Sequence, residues 1–260
     1  MFALWPGDRL NFSNFNSQRL CPTRSAWQLR SGHIANTNIG GNLFFGETRD
    51  MFKDKRLDNY IKLPAPDDSI DFFETVKRLS EKYWATTDIN KELYGFQVQR
   101  NTKWKDGLND NQLDDFEKSL NITFPVGLRN FYKTMNGLDK PGINVYGNDG
   151  TEHSISPVYY SYPDDIELIK DKIEWILESN NLTNERLNID NIPKIFPVTG
   201  HRFLILDDNK QILSMYGDDI VYWAENISKL IANEIFDNIY NVEDFESNPA
   251  NAKSVKFWLE

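Results

Sequence analysis

From residue 72 onward the apolar positions fall into short periodic blocks separated by turn-forming residues. "LPAPDDS" (63–69) reads as a linker and helix start, with Asp68 or Ser69 placed to accept the orphan backbone N–H groups of a first turn. Phe72, Val76, Leu79 and Tyr83 follow at i, i+4, i+7 and i+11, one stripe of a helix. "LYGFQVQ" (93–99) sets Tyr94, Phe96 and Val98 among smaller or polar residues and predicts a short extended segment. Asn109 and Gln112 have the spacing of a capping box ahead of a helix whose inner face is Leu113, Phe116 and Leu120. Asn121, tolerant of the left-handed conformation, ends that helix. "ITF" crosses in extended form, Pro125 suits the first turn of a second helix, and Leu128, Phe131, Tyr132 and Met135 form its stripe before Asn136-Gly137 closes it. The predicted product is two short amphipathic helices around a buried elbow. Each apolar side chain buried there contributes roughly 1.5–3 kcal/mol. Asp114, Asp115 and Glu117 fall on the polar face, where a solvated role is expected rather than acid catalysis.

The second half alternates strand and turn signals. "INVYG" (143–147) and "HSISPVYYSY" (153–162) read as strands, the latter with a proline that confines it to an edge or a bulge. Asp164 to Ser179 reads as a helix with Ile166, Ile169, Ile173, Ile176 and Leu177 on its apolar face, and "NNLTNERLNIDNIP" as a polar connection. "RFLILD" and "QILSMY" flank "DNK" as a hairpin; Gly217-Asp218 turns into "DIVYW"; Asn226 caps a last helix carrying Leu230, Ile231 and Ile235. This order predicts an α+β fold, helices packed on an antiparallel sheet, with an irregular N-terminal extension. The expected division is 1–60 as an irregular or extended segment, 61–245 as the α+β domain and 246–260 as a C-terminal tail.

Charge changes character along the chain. Residues 1–46 hold four Arg and one acid, while the whole 260-residue chain has a formal net charge of −10. The early composition has the arginine bias of a transit peptide without its amphipathic helix, and Met51 offers an alternative start that would make residues 1–50 non-native. The acidic remainder disfavours nucleic acid as a direct partner and favours a basic one. A single cysteine, Cys21, forms no intrachain disulfide, which fits a reducing cytoplasm. No apolar run approaches the ~20 residues of a membrane span. Four Asn-x-Ser/Thr triplets, at Asn11, Asn121, Asn181 and Asn226, are expected by chance in so Asn-rich a chain.

Candidate chemistry is sparse. His33, His153 and His201 show no metal-ligand spacing, so no metal and no cofactor is expected. "NIGGN" (38–42) lacks the pattern of a phosphate loop, and there is no GxSxG. The carboxylate pairs in "YPDD" (162–165) and "GDD" (217–219) read first as caps and turns. Tyr159, Tyr160, Tyr162, Tyr216, Tyr222 and Trp223 gather near strand ends. Exposed beside acids, such aromatics make a protein-recognition surface. Tyr160, Asp164, Tyr216, Asp218, Asp219 and Tyr222 are therefore the candidate partner-contact residues.

Taken together, "LNDNQLDDFEKSLNITFPVGLRNFYKTMNG" (108–137) resembles the signature of the SUKH superfamily, the Smi/Knr type. The matching positions are Leu113, Phe116, Glu117, Leu120, Ile122, Phe124, Pro125, Leu128, Phe131, Asn136 and Gly137. "IFPVTGHRFLILD" is similar to the family's strand pair and "VYWAENISKLIANEIF" to its last strand and helix; the resemblance spans about residues 70–240. It implies an α+β fold without catalytic residues. For bacterial members it implies an immunity protein that neutralises a cognate toxin by stoichiometric binding, as a monomer or weak dimer; a basic nuclease would be a fitting target. The alternatives are a regulatory scaffold that binds kinases or cell-wall enzymes, as in fungal relatives, and a hydrolase working through Asp218 or Asp219.

Overall fold

In a computed structural model the described residues are 63–148, 152–236 and 247–259, all within one unit, Asp54–Glu260. The expectations for residues 1–60, Cys21, His33 and Met51 lie outside the described residues.

Six α-helices occur among the described residues: α1 Ile70–Trp84, α2 Asp110–Leu120, α3 Val126–Thr134, α4 Ile166–Ser179, α5 Asn184–Ile189 and α6 Ile227–Phe236. Eight strands form three antiparallel sheets: β1 (Trp104–Asp106) with β2 (Met135–Leu138), β3 (Gly142–Asn144) with β4 (Ser154–Ser156), and β5 (Lys194–Thr199), β6 (Arg202–Leu206), β7 (Ile212–Tyr216) and β8 (Asp219–Ala224) in sequential order. The chain is thus α+β, as its element order predicts.

Local signals act where expected. The Ser69 hydroxyl accepts from Phe72 N at the start of α1. Asn109 and Gln112 make the reciprocal capping box of α2, and Asn121 ends it in the left-handed conformation (φ 52°, ψ 46°). At the start of α6, Asn226 accepts from Lys229 N. Phe116 meets Phe124, Tyr132 and Phe196 within 6.0 Å between ring centres, so the elbow between α2 and α3 is an aromatic knot pressed on β5.

The four-stranded sheet is covered on both faces. Phe196, Val198, Leu204, Ile212 and Ala224 join α1, α2, α3 and α6 in one core. The alternate residues Ile195, Phe203, Ile205, Leu213 and Met215 join Ile176 and Leu177 of α4, Leu187 of α5 and Val255 and Trp258 in a second. The segment 247–259 is stapled there by Trp258 Nε1–H donating to Pro193 O (2.8 Å). The Gln211 side chain donates to Lys253 O (2.6 Å) and accepts from Lys253 N (3.1 Å).

Three expectations are corrected. The stretch 181–193 is not a plain polar connection: Thr183 caps the helix α5, and Leu182, Leu187 and Ile192 are buried beneath it. Asn136-Gly137 does not close a helix; α3 stops at Thr134 and Met135–Leu138 pairs with β1. The reason lies in tertiary contact. Asn136 bonds both backbone groups of Tyr162, donating to its O (2.7 Å) and accepting from its N (2.8 Å), and Gly137 adopts φ +72° where a Cβ would stand 2.7 Å from Ser161 Cβ. Glu117 is not on a solvated face. Its side chain is 14% exposed, accepts from Phe124 N, and meets Arg129, which also reaches Asp110 and Asp114.

Candidate functional site

The β7–β8 hairpin turns through Gly217 and Asp218, with Tyr216 paired to Asp219. Gly217 sits at φ +62°, the conformation needed at the first position of such a two-residue turn. The turn is anchored to the end of α4, because Asn180 Nδ2 donates both to Ile176 O (2.8 Å) and to Gly217 O (3.0 Å). Tyr216 is thereby held in the open, 57% exposed, with its ring edge-on to Trp175 of α4 at 5.3 Å and to His201 at 6.3 Å. Asp218 and Asp219 are exposed beside it. Three of the six candidate residues, Tyr216, Asp218 and Asp219, therefore share one surface.

The other three do not join them. Tyr160 is 1% exposed, and its carbonyl accepts from the Tyr132 hydroxyl at 3.3 Å. Burial, reinforced by Asp165, pushes its phenol well above the ordinary value. A ring so enclosed cannot touch a partner, and Tyr160 is withdrawn as a contact residue. Asp164 is exposed but stands just before α4, about 20 Å along that helix from the turn, where it pairs with Lys105 (2.9 Å). Tyr222 lies about 10 Å down β8 from the turn and packs half-buried on the second core; burial and then the neighbouring Glu225 raise its phenol. Of the other tyrosines named with them, Tyr159 is buried and Tyr162 stacks on Phe116 at 4.5 Å.

Trp223 is also committed internally. The Arg202 guanidinium stands 3.3 Å over its ring centre, donates to Ser214 Oγ (2.6 Å) and meets Glu234 (3.4 Å), joining β6, β7, β8 and α6. His201, next to it, is driven down to about 3 by burial and by the charges of Arg202 and Lys172, so its imidazole is neutral at physiological pH.

Trp175 and its acidic neighbours on α4 were not singled out by pattern reading. Trp175 stands off the stripe of Ile166, Ile169, Ile173, Ile176 and Leu177, and in the structure it is half-buried against the second core with its ring braced on Tyr216. Charge follows the same division. Between residues 152 and 236 there are fifteen carboxylate side chains against seven Lys and Arg, whereas between 63 and 148 there are thirteen against eleven.

Among the described residues no group of three or more His, Cys, Asp or Glu is placed to hold a metal ion, and no helix is long and apolar enough to cross a membrane. Two shallow surface depressions, of about 450 and 660 Å³, include Arg186, Asp190 and Lys256 in one and Glu117, Lys118 and Lys194 in the other; neither lining contains a His or a Cys.

No curated protein and no solved structure matches the chain. The model of the SMI1 / KNR4 family (SUKH-1) matches residues 107–244, from the glycine before α2 to beyond α6. That match covers more than half of the 260 residues, and the chain belongs to the SMI1 / KNR4 family (SUKH-1).

Proposed function

We propose that this protein is a non-catalytic binding protein of the immunity type, which neutralises a cognate toxin domain by occupying its surface in a one-to-one complex. Membership of the SMI1 / KNR4 family supports the reading. The observation that carries it further is the exposed Tyr216 ring, braced by Trp175 and flanked by Asp218 and Asp219. A rigid aromatic held in solvent loses little conformational freedom on binding and suits the centre of an interface. The acidic surround favours a basic target, such as a nuclease domain, whose encounter is accelerated by opposite charge. The protein acts in the cytoplasm as a monomer or weak dimer, and turnover forms no part of its action.

Light scattering of the purified chain mixed with the toxin domain encoded beside its gene tests the proposal. The expected result is a single species with the summed mass of one copy of each. Two separate species at micromolar concentration would overturn it.

A further inference from the structure

Helix α4 differs from the three earlier helices in the charge at its C-terminus and in leaving its acidic stripe unpaired, whereas in α2 the like-spaced Asp110, Asp114 and Glu117 share Arg129. In α1, α2 and α3 a lysine stands in the last turn (Lys82, Lys118 and Lys133), where it offsets the partial negative charge of the terminal carbonyls; α4 has no basic residue there and carries Glu178 instead. Its exposed side also sets Asp171, Glu174 and Glu178 three and four residues apart, a spacing at which like charges repel. Among the described residues none of these three, nor Asp218 or Asp219, is paired with a cation. Beside that acidic stripe runs a second one, Leu168, Lys172, Trp175 and Ser179. Trp175 touches Tyr216, Ser179 faces Gly217, and Lys172 is half-buried rather than extended over the carboxylates. Local arrangements that lower stability without return inside the fold are expected at binding sites.

We propose that α4 and the β7–β8 turn form the docking surface for an arginine-bearing segment of a protein partner. One guanidinium stacks on the exposed Tyr216 ring, which Trp175 braces edge-on, and Glu174, Glu178, Asp218 and Asp219 accept hydrogen bonds from it and from adjacent cations. Charge complementarity selects a cationic occupant, and the exposed Tyr216 ring selects arginine over lysine, because a planar guanidinium stacks on a ring and presents a fork of donors to carboxylates. Docking removes the repulsion along α4 and the mismatch at its C-terminus. The inference rests on the proposed role as a protein-binding module and names the surface and the chemistry of what it holds.

The test titrates the ¹⁵N-labelled full chain with a hexa-arginine peptide and, separately, with hexa-lysine. Expected are amide shifts concentrated in 166–180 and 214–221 and tighter binding of hexa-arginine. The quadruple variant Glu174→Gln/Glu178→Gln/Asp218→Asn/Asp219→Asn should lose at least tenfold in affinity. A matched variant on the other half of the domain, Asp71→Asn/Glu74→Gln/Glu92→Gln/Asp115→Asn, should lose less than twofold. The first variant should also melt at or above the temperature of the parent chain, which shows that it folds. Shifts centred elsewhere, equal losses in the two variants, or equal affinity for the two peptides would overturn the proposal. The titration uses no toxin. Failure here with a toxin complex intact removes the surface and leaves the immunity role; success here without any toxin complex does the reverse.

Discussion

The guanidinium of Arg202 lies 3.3 Å above the centre of the Trp223 ring, and the same group is tied to Ser214 and Glu234. One buried cation thus fastens three strands of the main sheet to the last helix. Replacing it by leucine removes the stacking and leaves Ser214 Oγ without this donor; the expected loss is about 1–3 kcal/mol in urea unfolding. Arg202→Lys should recover less than half of that loss, since an ammonium cannot make the stack and the fork together.

Asn136 and Gly137 hold β2 against the chain before α4. Asn136→Ala leaves both backbone groups of Tyr162 without their partner and is expected to cost about 1–3 kcal/mol. Gly137→Ala meets Ser161 and a positive φ at once and is expected to cost a similar amount. Thermal unfolding of both variants by circular dichroism checks this; a melting temperature within 1 °C of the parent's, well inside the shift roughly 1 kcal/mol produces, would contradict it.

Trp258, 3% exposed, fills the second core from the segment 247–259. Trp258→Ala is expected to destabilise by about 3–5 kcal/mol, the range for a large buried ring. Removing residues 247–260 should cost at least as much. Denaturant midpoints of the two variants measure it, and unchanged midpoints would show that the segment does not pack on the sheet.

Acid lability should appear in two windows. His201 stays neutral in the fold down to about 3 but takes up a proton in the unfolded chain below its ordinary 6.5. Its contribution is therefore fully present above about 6.5 and is lost as pH falls towards 3. Burial works against ionisation of Glu225, yet Asn251 (3.0 Å) and Lys229 (3.0 Å) outweigh it and hold the carboxyl at about 2 against an ordinary 4.5. Its contribution is present above 4.5 and lost as pH falls from there through 2. Stability measured from pH 8 to 3 should decline in both windows, with His201→Gln flattening the upper and Glu225→Gln the lower.

What could be read from the sequence was mostly local. The Asn109–Gln112 box, the Asn121 stop and the Ser69 and Asn226 caps each depend on residues within one turn, and each sits where its pattern places it. Pairings across the chain were not readable. β1 and β2 are only three and four residues long and join segments some thirty residues apart, so neither carries a periodic signal. α5 hides its apolar side in three widely spaced residues of a polar stretch. Tyr160 and Tyr216 both follow strand-like residues. What separates them is that Tyr159 bridges to Thr199 at the edge of the sheet, with Tyr160 buried in the first core, whereas Tyr216 ends its strand at an open turn. The sequence pattern puts Tyr216, Asp218 and Asp219 at one turn, while Trp175, Glu174 and Glu178 beside them read only as members of a helix with a core stripe.

The most direct test of the central claim is a titration of toxin activity against increasing amounts of this protein. A binding protein that acts by occupancy removes activity linearly and completely at one molar equivalent, and leaves the mass of the recovered toxin unchanged. Full protection at a small fraction of an equivalent, or a toxin recovered with altered mass, would mean that the protein acts by turnover and would contradict the account.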